Sequence, residues 1–236
     1  MDLLARISID APQTIFDLGC GAGNVTRILA ERWPEASITG VDASAPMLEQ
    51  ARQDKATISW QQQSISEWSP THAADLIYSN AALHWLPDHS SLFPKLMDSL
   101  TPGGVLAVQM PRNFSAPSHT LIADTVRSGA WRSRLDHLLV VAPVSNPDFY
   151  YSLVASHADS IDIWETEYLQ VLHGKDPVKE WTKGTWLKQF LDVLTPAERP
   201  VFEEDYAQLL REAYPVQANG ETLFPFRRLF MIVRKK

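Results

Sequence analysis

The chain has one cysteine, Cys20, so no internal disulfide can form and no zinc-type cysteine spacing exists. That scarcity suits a reducing, cytoplasmic setting. No apolar run approaches the ~20 residues of a membrane-spanning helix. The first residues also lack the basic-then-apolar pattern of a secretory leader. Positive charge is short as well: 21 Lys and Arg stand against 28 Asp and Glu, a net charge of −7. Broad binding to nucleic acid or to an anionic membrane surface is therefore disfavoured. There is no internal repeat, no low-complexity stretch and no Ser-His-Asp order built on a nucleophile elbow.

What is present is ordinary in bulk and pointed in detail. The 236 residues, 45% apolar and 21% charged, suffice for one large domain or a domain with a cap. The stretch Ile15-Phe16-Asp17-Leu18-Gly19-Cys20-Gly21-Ala22-Gly23-Asn24 reads as a buried strand, a tight turn and a helix start, with Val25, Ile28 and Leu29 on one helical face. Such a turn is where a doubly wound sheet takes a nucleotide-like ligand. Glycine is required there because a Cβ would block a ligand from the backbone.

The glycine spacing narrows the ligand. A dinucleotide fingerprint needs glycines at the first, third and sixth places, which would be 19, 21 and 24. Position 24 is Asn24, and the third glycine falls early at Gly23. Asp17 precedes the first glycine by two residues, where its carboxylate can accept from a ligand ammonium. Asp42 ends a second apolar strand, Ser37 to Asp42, and is placed to hydrogen-bond a ribose diol. This D-x-G-x-G-x-G order resembles the first motif of class I S-adenosylmethionine-dependent methyltransferases.

Taken in order, Met1 to Ser8 read as the end of a helix. A helix from Asn24, with Asn24 as its cap, runs to Trp33 and is stopped by Pro34. Ser44-Ala45-Pro46 opens another that reaches about Asp54, with Met47 and Leu48 toward the sheet. Strands are expected at Thr57 to Gln61, Ala74 to Asn80 and Val105 to Met110. The last follows a helix ending near Leu100 and a Thr101-Pro102-Gly103-Gly104 turn. After Pro111 the β-α alternation breaks into helical patterns. A strand at 159–172, further helices from Pro177 to Tyr214 and a last strand from Thr222 to Val233 complete the chain. The expectation is an α/β fold: a Rossmann-like doubly wound sheet of about seven strands with a helical cap. It forms a single methyltransferase domain over 1–236. The core is expected at about 1–111, 146–172 and 221–236, and the cap at about 112–145 and 173–220. Trp131, Trp181 and Trp186 are expected in the cap's own core.

With these residues in view, the chain resembles the trans-aconitate 2-methyltransferase family, itself similar to malonyl-carrier-protein methyltransferases. The resemblance runs nearly end to end. It rests on Leu83-His84-Trp85-Leu86-Pro87-Asp88-His89, the strand Gly103 to Pro111 with its Gln109-Met110-Pro111 ending, Asp162-Ile163-Trp164, and Arg228-Leu229-Phe230. It implies methyl transfer from S-adenosyl-L-methionine to a carboxylate of a small polycarboxylic acid, most specifically trans-aconitate. The implied cofactor-binding set is Asp17, Gly19, Cys20, Gly21, Gly23, Asn24, Asp42, Ala43, Met47, Ser64, Ile65 and Asn80. Ser64 stands where the family usually carries an acid for the adenine amine, and His84 stands where glutamine is common. The chain also begins within a helix that starts further upstream in relatives.

A carboxylate acceptor is ionised at neutral pH, with a reference pKa of about 4, so methyl transfer to it needs no general base. The protein must instead desolvate and aim the reactants and hold the remaining carboxylates, which suits arginine forks. Between Pro111 and Pro147 stand four arginines, no lysine and two aspartates, a locally positive stretch in an acidic chain. Arg132, Arg134 and Arg228 are the substrate-binding candidates. His84 and Trp85 are positioning candidates, and His84 would supply a modest pH dependence near the ordinary histidine value of about 6.5. No metal is expected, nor nucleic acid, since Ser79-Asn80-Ala81-Ala82 replaces the Asn-Pro-Pro-Tyr-like motif of nucleic-acid methylation. No membrane contact is expected, and the state is monomer or weak dimer. The competing readings are a malonyl-acyl-carrier-protein methyltransferase, which would want a basic rim, and a cofactor-binding protein without catalysis.

Overall fold

Apolar runs of five to seven residues bounded by glycine, proline and acids become central strands, because a parallel strand covered on both faces has no polar side to alternate with. The computed structural model describes residues 2–53, 57–139 and 143–236. Within them the chain runs α1 (Asp2–Arg6), β1 (Thr14–Leu18), α2 (Asn24–Arg32), β2 (Ser37–Asp42), α3 (Ala45–Ala51), β3 (Ser59–Gln62) and β4 (Ala74–Asn80). A 3-10 turn at Leu83–Trp85 leads to α4 (His89–Asp98), β5 (Leu100–Pro111), α5 (Pro117–Ser128) and α6 (Arg132–Leu135). After a second 3-10 turn, Asp136–Leu138, come α7 (Pro147–Val154), β6 (Ala158–Leu172), α8 (Pro177–Lys183), α9 (Lys188–Val193), α10 (Glu198–Ala213) and β7 (Thr222–Lys235).

All seven strands join one sheet in the order β3-β2-β1-β4-β5-β7-β6. The pairs β1/β2, β1/β4, β2/β3 and β4/β5 are parallel. Strand order reverses between β1 and β4, the switch point where such sheets open a crevice at their carboxyl ends. Asp17 sits there, opposite Gly40 on one side and Tyr78 on the other. Ile15, Leu18, Val41, Leu76, Ile77 and Leu106 are fully buried around it. No helix among the described residues is long and apolar enough to cross a membrane.

Several local expectations shift. The cap of α2 is Gly23, in a left-handed conformation and with no side-chain bond, so Asn24 is the first helical residue and not the cap. Leu48 is buried, but Met47 is 46% exposed and does not face the sheet. With Pro46 fixing the entry of α3, the two side chains lie about 100° apart and only one can point inward. The expected end of that helix at Asp54 lies outside the described residues. Strand β5 starts at Leu100 and takes in the Thr101-Pro102-Gly103-Gly104 turn. The pairing jumps from Ala74–Leu100 to Leu76–Val105, and Gly103 takes a φ of 75°. That is a bulge inside the strand, a common use of glycine.

The described residues gather into two compact units: Met1–Pro111 with Ser145–Thr166 and Leu229–Lys236, and Arg112–Val144 with Glu167–Arg228. The second has its own apolar centre, where Ile122, Trp131, Leu135, Phe190, Phe202, Tyr206 and Phe224 pack together. Its polar tips are satisfied. The Tyr206 hydroxyl donates to the Ser118 carbonyl at 2.6 Å, and the Ser118 N–H donates to the Tyr214 hydroxyl at 3.0 Å. The Trp131 indole N–H reaches the Thr125 carbonyl at 2.9 Å. Trp186 packs against this centre, whereas Trp181 is 36% exposed and meets Phe224 and Phe226 edge-on.

Candidate active site

The turn from β1 into α2 is pinned before any ligand arrives. The N–H groups of Gly19 and Cys20 both donate to the Val41 carbonyl, at 2.8 and 3.1 Å. Gly19, Gly21 and Gly23 all take positive φ, at 78°, 54° and 79°, a backbone that favours glycine. Their surroundings differ. A Cβ on Gly19 would lie 2.1 Å from the Ala82 methyl, and one on Gly23 would lie 2.3 Å from the Trp60 ring. A Cβ on Gly21 would meet nothing within 4 Å. Protein packing thus demands glycine at 19 and 23, while the space beside Gly21 is open. Trp60 serves twice, since a Cβ on Gly40 would come within 2.5 Å of the same ring.

Two carboxylates flank this turn. Asp17 is 2% exposed and accepts a 2.6 Å bond from the Thr26 hydroxyl on α2. Burial pushes its pKa up to about 7; the Thr26 bond opposes the rise and the Asp42 charge adds to it. No cation pairs with it among the described residues, so a carboxylate lies desolvated and without a counter-charge. Asp42 anchors the loop itself. Its Oδ2 accepts from the Gly21 N–H and its Oδ1 from the Ser44 N–H, each at 2.8 Å. Each oxygen keeps a further lone pair for a hydroxyl donor. Between the two acids, burial first and then their charges push the Cys20 thiol up, so it stays protonated. It is no nucleophile.

The other residues expected at the cofactor fall around this turn to differing degrees. Ile65 is buried with its Cδ1 3.5 Å from where a Gly19 Cβ would stand. Ser64 shares a 2.7 Å hydrogen bond with the Ser66 hydroxyl. Asn80 ends β4 opposite Gln109, and Ala81 after it holds a φ of 55° with its N–H donating to the Gln109 carbonyl at 2.9 Å. That bend brings Ala82 against Gly19. Asn24 and Ala43 are exposed, as is Met47.

His84 is 7% exposed and its ring lies 4.7 Å from that of Trp85, which is 56% exposed. Burial, helped by the nearby His89, pushes the His84 pKa down to about 4. The expected titration near 6.5 is therefore corrected: His84 is neutral at working pH. His89 is a core histidine, with Tyr150 on Nδ1 at 2.8 Å and the Leu83 carbonyl on Nε2 at 2.9 Å.

Among the arginines in the second unit, Arg134 forms an ion pair with Glu198, whose carboxylate also accepts from Thr195 N–H and Oγ1 at 2.9 and 2.8 Å. That places Arg134 in a surface network. Arg132 is exposed at the start of α6. Arg228 is half-buried, with its guanidinium 5.2 Å from the Phe226 ring and 5.6 Å from that of Tyr168. Thr26, Trp60 and Ala82 were not anticipated. The signal for Trp60 was its place on the strand beside Gly40, where a missing side chain leaves room for an aromatic ring.

A buried carboxylate without a counter-charge, a second acid that holds the loop and an open glycine between them thus meet at the turn from β1 into α2. Fold and site together define a class I S-adenosylmethionine-dependent methyltransferase. A methyltransferase-domain family matches residues 15–104. A putative methyltransferase from Bacillus halodurans shares the fold at a TM-score of 0.62 and 13% identity, over 99% of this chain and 97% of that one. So does phosphoethanolamine N-methyltransferase 2 of Haemonchus contortus, solved with S-adenosyl-L-methionine, at a TM-score of 0.55 and 15% identity. There the match covers all of this chain but 52% of that one. Much nearer in sequence are the trans-aconitate 2-methyltransferases of Azoarcus sp., 45% identical over 98% of this chain and 90% of its relative, and of Streptomyces coelicolor, 46% identical over 99% and 80%. The chain belongs to the trans-aconitate 2-methyltransferase family.

Proposed function

We propose that this methyltransferase esterifies one carboxylate of a small polycarboxylic acid, with trans-aconitate as the favoured acid. The observation that carries the reading is the near full-length likeness to enzymes bearing that name, 45% identical over 231 residues. S-adenosyl-L-methionine supplies an electrophilic methyl group. The chain supplies binding and aim: Asp17 accepts from the amino-acid ammonium, Asp42 from the ribose hydroxyls, and the Gly21 backbone leaves space for the ligand to lie close. Ser64 is our candidate for the adenine amine.

The acceptor carboxylate arrives ionised, so no residue need remove a proton. His84, buried and uncharged, is suited to a hydrogen bond with a carboxylate oxygen and unsuited to ionic capture. Arg228 is our candidate for charged capture, its guanidinium oriented by the aromatic faces of Tyr168 and Phe226. The test is incubation with methyl-labelled cofactor and a panel of di- and tricarboxylic acids. A base-labile methyl ester on trans-aconitate is the expected product. Label in a base-stable ether or amine, or no product from any acid despite cofactor binding, would overturn the proposal.

A further inference from the structure

Thr26 is the third residue of α2 and is fully buried, with Leu29 on the same inward face. Packing alone would be served there by valine, which has the same shape and no hydroxyl. A buried hydroxyl without a partner is costly, and a helical threonine commonly meets that cost by donating to a carbonyl one turn back. Thr26 instead donates to Asp17 Oδ2 on β1, at 2.6 Å. Both residues belong to the first unit. β-branching limits the rotamers open to Thr26 in a helix, so the hydroxyl is held toward the strand.

The two oxygens of Asp17 are thereby divided. Oδ2 is taken by Thr26, while among the described residues no hydrogen bond reaches Oδ1. The titratable groups whose charges are coupled to Asp17 are Asp42, the Cys20 thiol and Tyr78, none of them a cation. Burial favours the protonated carboxyl and Asp42 adds to that, whereas the Thr26 hydroxyl opposes both. A protonated Asp17 offers no charge to an ammonium and must first lose its proton. Thr26 thus acts on one group in two ways: it fixes which oxygen is left for a ligand, and it favours the form that can take a cation.

We infer that Thr26 is a positioning residue for cofactor binding, holding Asp17 by one oxygen so that the other meets the ammonium of S-adenosylmethionine. The inference rests on the assignment of Asp17 to that ammonium. The test compares S-adenosylmethionine with methylthioadenosine, which keeps the adenosyl thioether and lacks the amino acid, each titrated calorimetrically into the full chain. Thr26→Val should weaken S-adenosylmethionine binding roughly 10- to 100-fold, the usual worth of a hydrogen bond to a charged group, and leave methylthioadenosine within about twofold. Thr26→Ser, which restores a hydroxyl donor, should recover most of the loss. A threonine that merely packed α2 against the sheet would behave otherwise: valine would leave both ligands intact, or both would weaken together as the turn loosened. Either outcome, or a failure of serine to rescue, would overturn the inference. Asp17→Asn is the control. Unchanged S-adenosylmethionine affinity in that variant would sink the assignment of Asp17 itself, whereas loss there beside full affinity in Thr26→Val would remove Thr26 alone.

Discussion

Replacing Asp17 by asparagine separates what the site costs the fold from what it does for the ligand. The carboxyl is raised from 3.8 to about 7 by burial, about three pKa units. At about 1.4 kcal/mol each, that is ~4 kcal/mol of charge burial carried by the free protein at pH 8. The sign follows from the raised value: the folded state binds this proton more tightly than the unfolded one. Stability present below pH 4 is therefore lost as pH rises toward 7, and stays lost above. Asparagine keeps an acceptor for the Thr26 hydroxyl but brings a buried amide donor whose unmet bond costs about 1–3 kcal/mol. The net gain for Asp17→Asn at pH 8 should be about 1–3 kcal/mol. At roughly 2–4 °C per kcal/mol for a chain of this size, melting at pH 8 should rise by about 2–12 °C, and the gap to the parent should close at about pH 5–6 and reverse toward pH 4, where Asp17 is protonated and only the unmet amide bond separates the two. Differential scanning calorimetry from pH 4.5 to 8.5 measures this directly. S-adenosylmethionine should stabilise the parent and not the variant. In the parent its affinity should fall up to tenfold per pH unit below 7, because the ammonium must displace the Asp17 proton. A variant less stable at pH 8, or protected by the cofactor as well as the parent is, would refute the argument.

Asp42→Ala should weaken S-adenosylmethionine binding by roughly 1–3 kcal/mol and loosen the glycine turn, since both oxygens anchor backbone N–H groups; unchanged affinity by isothermal titration would place Asp42 outside the site. Gly23→Ala drives a methyl into Trp60 at a position of positive φ and should cost at least ~1–3 kcal/mol of stability, whereas Gly21→Ala should chiefly reduce cofactor affinity. Paired urea unfolding and binding curves for the two variants check the contrast. At saturating cofactor, kcat should be flat from pH 6 to 9, since the acceptor stays ionised and His84, with a pKa near 4, stays neutral. His84→Gln should leave that profile unaltered, and a slope near one that persisted in the variant would argue for a hydroxyl, amine or carbon acceptor.

Much of this was written locally in the chain. The strands around Asp17 and Asp42 were legible because a covered parallel strand is a continuous apolar run, and the turn because three glycines interrupt it in seven residues. Helices after Pro111 were legible from period and punctuation, and the family from Gln109-Met110-Pro111 and Arg228-Leu229-Phe230. What the tertiary structure decided concerns residues distant in sequence. Thr26 reaches back to Asp17, Trp60 fills the space left by Gly23 and Gly40, and Ala82 closes on Gly19, because parallel strands are joined through crossovers and a pattern within one strand says nothing of its neighbour. The charges were settled the same way. Asp17 and His84 depart from their ordinary pKa values through desolvation, which depends on everything packed around them, and Arg134 is committed to a glutamate 64 residues away. The Arg112 N–H, just after β5, finds the Arg227 carbonyl on β7 at 2.9 Å only because those strands are adjacent in the sheet, a consequence of strand order that no local stretch of sequence encodes.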